Sequence, residues 1–143
     1  MPLVLELKPK EKVVINGAVI VNDNRRSRLT ISTFAHVMRE KDILQEQEAN
    51  TPAKRVYFLI QLLLLAAGDR NSIEAYGQPL ENAIAALGAA LTNAEIKEHL
   101  GTVSTLAARG DYYKAIIALR PVMEYEARLL NISDRPPTAD PTG

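Results

Sequence analysis

The hydrophobic pattern of the chain changes period once, near residue 51. Before that point apolar residues alternate with polar ones. Leu3, Leu5 and Leu7 interleave with Val4, Glu6 and Lys8, the two-residue period of a half-buried strand, and Pro9-Lys10 breaks it. "KVVI" and "AVIV" flank Asn16-Gly17, whose residues both tolerate the positive φ of a type I′ turn, so Lys12–Val21 is expected to form a hairpin. The polar loop "NDNRRS", Asn22–Ser27, leads into "RLTISTF", β-branched and alternating again. "HVMREKDIL", His36–Leu44, reads as a short strand at Val37–Arg39 and then a turn containing Asp42.

From Thr51 onward the period is helical. Thr51 caps, and Pro52 at the first helical position gives up only an amide that would have had no partner. The run Pro52–Ala67 is apolar nearly all round, which predicts a central helix with Tyr57 and Phe58 in its core. Ser72–Leu91 carries Leu80, Ile84, Leu87 and Leu91 on one stripe, and Pro79 either kinks that helix or marks its start. Thr92-Asn93-Ala94-Glu95 has the form of a capping box and opens a helix with Ile96, Leu100, Val103 and Leu106 on one face, ending at Gly110. Asp111 is expected to cap a last helix reaching Asn131, with Pro121 inside it and a partly polar stripe of Tyr113, Ile116, Arg120 and Met123. Residues 133–143 are Pro-rich and expected to be disordered. The predicted class is α+β: a small antiparallel β-domain over residues 1–50, then an antiparallel bundle of about four helices over residues 51–132.

Composition narrows the function. Hydrophobic residues make up 47% of 143, enough for a core, and there is no cysteine to form a disulfide or a thiolate metal site. The histidines, His36 and His99, lie far apart in sequence and read as surface or capping groups. The most apolar run, Val56–Ala67, is interrupted by Gln61 and falls short of the ~20 residues a bilayer span needs. The N-terminus lacks the basic and apolar regions of a secretory signal, so a cytoplasmic protein without membrane association is expected. Net charge is zero, and residues 1–50 carry eight Lys/Arg against seven Asp/Glu. Any nucleic-acid contact must therefore be local. Phosphate-loop, dinucleotide, zinc-protease and nucleophile-elbow motifs are all missing from the sequence, which points to a binding protein without a cofactor rather than an enzyme.

Two basic groups stand out. Arg25, Arg26 and Arg28 form the densest cluster and, on a loop tip, could hold a phosphate backbone; the plainer reading is a solubilising loop beside Asp23. Arg39, followed by Glu40, Lys41 and Asp42, could present its planar fork to a base edge or a phosphate; the plainer reading is a surface ion pair with Glu40 or Asp42. Lys8, Lys10 and Lys12 would extend the patch or protect a strand edge. Stacking platforms are scarce, since Phe34 is the one aromatic residue in the first fifty.

Three blocks, "MPLVLELKPKEKVVINGAVIVN", "REKDIL" at Arg39–Leu44 and "TPAKRVYFLIQ" at Thr51–Gln61, resemble in order and spacing the FlbT family of flagellar biosynthesis repressors from α-proteobacteria. The resemblance implies a non-enzymatic, post-transcriptional regulator that binds the untranslated leader of flagellin mRNA and promotes its decay. A weaker similarity links "PKEKVVINGAVIV" and "VMREK" to the carbon storage regulator family of RNA-binding proteins, where the arginine matching Arg39 reads RNA. This chain departs from that family in having Leu5-Glu6-Leu7 where paired arginines end the first strand, and Asn16-Gly17 where Gly-Asp forms a turn. Together these place the expected RNA contacts at Arg39, Arg25, Arg26, Arg28 and Lys41, with the flagellin mRNA leader as partner. The alternative is a flagellin-binding chaperone or assembly factor, built on the helical half, that acts on mRNA indirectly. Flagellin, another flagellar regulatory protein and a second copy of the chain are the protein partners to consider.

Overall fold

A computed structural model describes residues 2–66 and 69–134. Five short strands come first: β1 (Leu3–Leu7), β2 (Lys12–Ile15), β3 (Ala18–Val21), β4 (Ser27–Ile31) and β5 (Val37–Arg39). Single 3-10 turns at Glu40–Asp42 and Glu46–Glu48 lead to α1 (Pro52–Leu65), α2 (Arg70–Ala90), α3 (Ala94–Ala108) and α4 (Tyr112–Asp134). The α+β reading holds, with the switch of period falling where α1 begins.

The strands form two small antiparallel sheets. β1 pairs with β4, and β2 lies between β3 and β5. The expected hairpin closes at Asn16 and Gly17, whose φ values of 50 and 85 match a type I′ turn. β2 is the pivot of the layers because both of its faces are covered. Val13 joins Leu5 and Leu7 in a small core under the β1–β4 ribbon, while Val14, together with Met38 of β5, belongs to the helical core. Alternation of side chains across a strand makes this sharing possible. The stack is therefore ribbon, three-stranded sheet, helices, and the helical core reaches past residue 51 into β2 and β5. Leu3 departs from the expected alternation and stays exposed at the strand's start.

Among the helices, α1 packs on α2 and α4, and α3 packs on α4. α1 buries Ala53, Val56, Tyr57, Ile60 and Leu63, as its apolar run predicts, although Phe58 is only half-buried. Thr51 accepts from Lys54 N as its cap. The Glu126 carboxylate of α4, which no local pattern in the sequence marks, closes the same end. It accepts from Thr51 Oγ1 and, at 2.9 Å, from Ala53 N, placing negative charge where the helix dipole favours it. α2 runs unbroken through Pro79 from an Asp69 cap, so Pro79 does not mark its start. α3 is capped by Asn93, whose side chain accepts from Ile96 N, rather than by Thr92, one residue off the expected box. In α4 the buried stripe is Ala115, Ile116, Leu119 and Val122. Ile116 of the expected partly polar stripe is in that core, and its polar members face β5 and the turn after it: Tyr113 Oη donates to Val37 O at 3.1 Å, and Arg120 Nη2 lies 3.7 Å from Asp42 Oδ2. α4 extends through Asp134, past Ser133 where a tail was expected to start, and the rest of that expected tail, residues 135–143, lies outside the described residues. Among the described residues no helix is long and apolar enough to cross a membrane.

Candidate nucleic-acid interface

The arginine loop follows β3 and is held by its backbone. Asn22 N donates to Glu11 O at 2.9 Å, and its side-chain Nδ2 donates to Lys8 O at 2.7 Å and Arg25 O at 3.0 Å. Lys10 N donates to Asp23 O at 2.9 Å, which ties the loop to the turn between β1 and β2. That turn sets Lys10 at φ 64, a left-handed conformation uncommon for a residue with a side chain. With the main chain fastened this way, the Arg25 and Arg26 side chains project into solvent, and among the described residues neither has an ion-pair partner. Arg28 differs. It sits opposite Glu6 in the β1–β4 register, and its Nε is 3.0 Å from Glu6 Oε1, an exposed pair of small energetic weight.

Arg39 ends β5 and turns back across the β-layer. Its Nη2 lies 3.0 Å from Glu11 Oε2 and donates to Glu6 O at 3.0 Å, while its Nε is buried without a partner among the described residues. Glu11 in turn accepts from Lys8 N at 2.8 Å. That backbone hydrogen bond first, and Arg39 second, hold the Glu11 carboxyl below its ordinary range. The expected surface partners of Arg39 are engaged elsewhere: Glu40 Oε1 accepts from Lys12 N at 2.9 Å, and Asp42 faces Arg120. Local sequence suggested Glu40 and Asp42 because they are adjacent, but the chain turns into a 3-10 turn after Arg39, while the pairing of β5 with β2 sets Arg39 opposite Val13 and so beside Glu11.

These residues surround a groove of about 730 Å³. Arg26, Arg39 and Lys41 all line it, whereas Arg25 and Arg28 do not. Four cations (Lys8, Arg26, Arg39 and Lys41) face four carboxylates (Glu6, Glu11, Glu40 and Glu48), so the groove is formally neutral. Of the four cations only Arg39 is in an ion pair among the described residues, while Lys8, Arg26 and Lys41, like Lys10 and Lys12 nearby in the chain, have none.

Tyr57 Oη donates to Asp42 O, fastening α1 to the segment after β5. Burial, and then the neighbouring Asp42 carboxylate, push the Tyr57 phenol up to about 12. An aromatic set escaped sequence reasoning. Phe34, 85% exposed, meets the His36 ring edge-on at 5.1 Å, and His36 stacks on Tyr113 of α4 at 4.4 Å. His36 is thus half-buried, and its Nδ1 is buried without a partner among the described residues. The only signal for this set was Phe34 itself, because Tyr113 is far away in sequence.

Comparison with known proteins bears on both halves of the chain. The family model "Flagellar protein FlbT" matches residues 3–130. The chain is 36% identical over 130 residues to the "Probable flagellum biosynthesis repressor protein FlbT" of Caulobacter sp. (strain K31), covering 91% of this chain and 97% of that one. It is 35% identical over 126 residues to the "Flagellum biosynthesis repressor protein FlbT" of Caulobacter vibrioides (strain ATCC 19089 / CIP 103742 / CB 15), covering 88% and 87%. It is 38% identical over 131 residues to a "Probable flagellum biosynthesis repressor protein FlbT" of Rhodopseudomonas palustris (strain TIE-1), covering 92% and 99%. No solved structure matches. The similarity runs through strands and helices alike, and the chain belongs to the FlbT family of flagellar proteins.

Proposed function

We propose that this protein represses flagellin synthesis after transcription, by binding the 5′ untranslated leader of flagellin mRNA and promoting its degradation. Relatives named flagellum biosynthesis repressors support the repressor role. The observation that carries the RNA contact is the loop tip: Arg25 and Arg26 are exposed and, among the described residues, unpaired, on a backbone anchored at Asn22 and Asp23. Charged side chains on a fixed backbone can grip phosphates with little further ordering. On this reading Arg26 and Lys41 hold the strand on either side of the groove, and Arg25 adds attraction. Arg28 contributes after leaving Glu6, and Arg39 presents its remaining donors from a fixed position.

The test is direct binding of purified, nuclease-treated protein to a flagellin leader RNA and to a scrambled RNA at several salt concentrations. Arg25→Ala with Arg26→Ala should weaken both RNAs alike. The double variant should also flatten the plot of log affinity against log salt, by about 0.7 for each single-strand phosphate no longer neutralised. Arg39→Ala should cost roughly 1–3 kcal/mol on the leader and far less on the scrambled RNA if it reads a base. Equal binding of leader and scrambled RNA by the native protein would refute sequence-directed repression. The neutrality of the groove favours one second reading, a flagellin-binding chaperone or assembly factor acting indirectly. Retention of flagellin in a pull-down after RNA digestion, together with no affinity for leader RNA, would select it.

A further inference from the structure

We infer that β3 is the contact strand of a two-fold dimer, pairing edge to edge with β3 of a second copy. The three-stranded sheet has two edges, and they are treated differently. The β5 edge is short, ends in Arg39, and has its Val37 carbonyl covered by Tyr113 Oη. β3 is bare. Its sequence, Ala18-Val19-Ile20-Val21, has no charge, proline or other guard against edge pairing. All four residues are exposed, with Val19 at 53% and Val21 at 56%.

The register with β2 says which backbone groups are free. Ala18 and Ile20 lie opposite Ile15 and Val13, and Asn22 N donates to Glu11 O, so the groups of residues 18, 20 and 22 point toward β2. The N–H and C=O of Val19 and Val21 therefore point outward. An antiparallel copy centred on Ile20 sets Val19 against Val21 of the second copy, and Val21 against its Val19. Each pair exchanges two hydrogen bonds, so all outward groups of the strand are satisfied at once. Ile20 meets its own equivalent on the axis, and no like charges oppose each other. Because the axis is perpendicular to the sheet, like faces stay on the same side. Val19 and Val21 share the Val14 face, so both copies' valines form one apolar floor between the two helical layers. This self-complementarity selects a second copy over an unrelated strand.

This inference stands apart from the RNA reading, and its test uses nuclease-treated full-length protein. Sedimentation equilibrium between about 1 and 200 µM should show a monomer–dimer equilibrium, since a strand pair with its flanks is smaller than a standard interface. Ile20→Lys, which opposes two ammonium groups on the axis, should weaken the dimer at least ~10-fold with an unchanged circular dichroism spectrum. Ile20→Cys reads the register even if the lysine variant folds poorly. Across the axis the Cα atoms of a non-hydrogen-bonded pair lie about 4.5 Å apart, within disulfide range, and the chain has no other cysteine. Mild oxidation should therefore yield a covalent dimer from Ile20→Cys and little from Val19→Cys, whose equivalents are offset. A native protein that is monomeric throughout, a lysine variant as dimeric as the native protein, or equal cross-linking of the two cysteine variants would overturn the assignment.

Discussion

Gln61 offers a measurable test of how the helices hold the candidate site. Tyr57 aside, it is the one buried side chain among the described residues that carries a polar group, 3% exposed on α1. Its Oε1 accepts from Leu44 N and its Nε2 donates to Leu44 O, both at 2.8 Å. The amide gives this irregular segment, which follows Arg39 and Lys41, the two bonds a neighbouring strand would supply. Gln61→Leu keeps the size and removes both partners. Each buried, unsatisfied backbone group costs about 1–3 kcal/mol, and Leu44 is only half-buried, so the lower end applies to each. Allowing for the gain from a more apolar side chain, the net loss should be about 1–2 kcal/mol. In urea the midpoint should drop by roughly 0.5–1 M with an unchanged slope. Gln61→Glu sharpens the test. An ionised carboxylate accepts from Leu44 N but cannot donate to Leu44 O, whereas the protonated acid can do both. The introduced carboxyl should have a folded-state pKa above its unfolded value. Its stabilising contribution is then full below about pH 4 and lost as pH rises through the folded value. The deficit relative to native protein should shrink from pH 7 to pH 4 in Gln61→Glu and persist in Gln61→Leu. A leucine variant within about 0.5 kcal/mol of native at both pH values would refute the argument.

Tyr57, raised to about 12, is held neutral by the fold. Its contribution is complete below the unfolded value near 10 and disappears as pH rises toward 12, and alkaline melts of Tyr57→Phe should lack that part of the loss. Gly17→Val puts a β-branched residue at φ 85 and should lower stability by more than about 1 kcal/mol in a thermal melt. Glu126→Ala leaves Ala53 N and the Thr51 hydroxyl without their acceptor and should lower stability by about 1–2 kcal/mol, read as a shift of the urea midpoint.

Local rules in the sequence reached most of the architecture. Alternation located the strands, Asn16-Gly17 located the turn, and the short strand at Val37–Arg39 was legible despite its charged ending. The α2 and α3 stripes were also legible, since Leu80, Leu87, Leu91, Ile96, Leu100 and Val103 are buried and Ile84 and Leu106, half-buried, pack against the same core. Contacts between distant segments were not legible. Glu126 capping α1, Tyr113 stacking on His36, and Glu11 pairing with Arg39 all depend on how layers stack. A period gives the face a residue occupies but not what meets that face. Arg39 shows the consequence for a candidate site. The sequence singled it out, but its nearest carboxylates along the chain were the wrong partners. The polar stripe of α4 was likewise read as a feature, and only the packing shows that it faces Val37 and Asp42.

The arginine loop and the bare strand are adjacent, since β3 ends at Val21 and the loop begins at Asn22. If β3 pairs about Ile20, Asn22 of one copy lies opposite Ala18 of the other. The two loops then start four residues apart along the paired strands, or about 14 Å at strand rise. A single RNA strand can span that distance and touch both loops. A groove that is neutral in one copy gives weak attraction, and two loops on one strand raise it through effective concentration, with the same arginines doing the binding. RNA binding should therefore be steeper than a one-site isotherm at protein concentrations near the dimer dissociation constant. Ile20→Thr, which adds no charge but weakens the apolar pairing, should return the isotherm to one-site form and reduce the salt dependence toward that of one loop. An RNA isotherm for the native protein that is one-site across the whole monomer–dimer range would separate the two features. The loop would then act alone, and β3 pairing would serve assembly rather than RNA affinity.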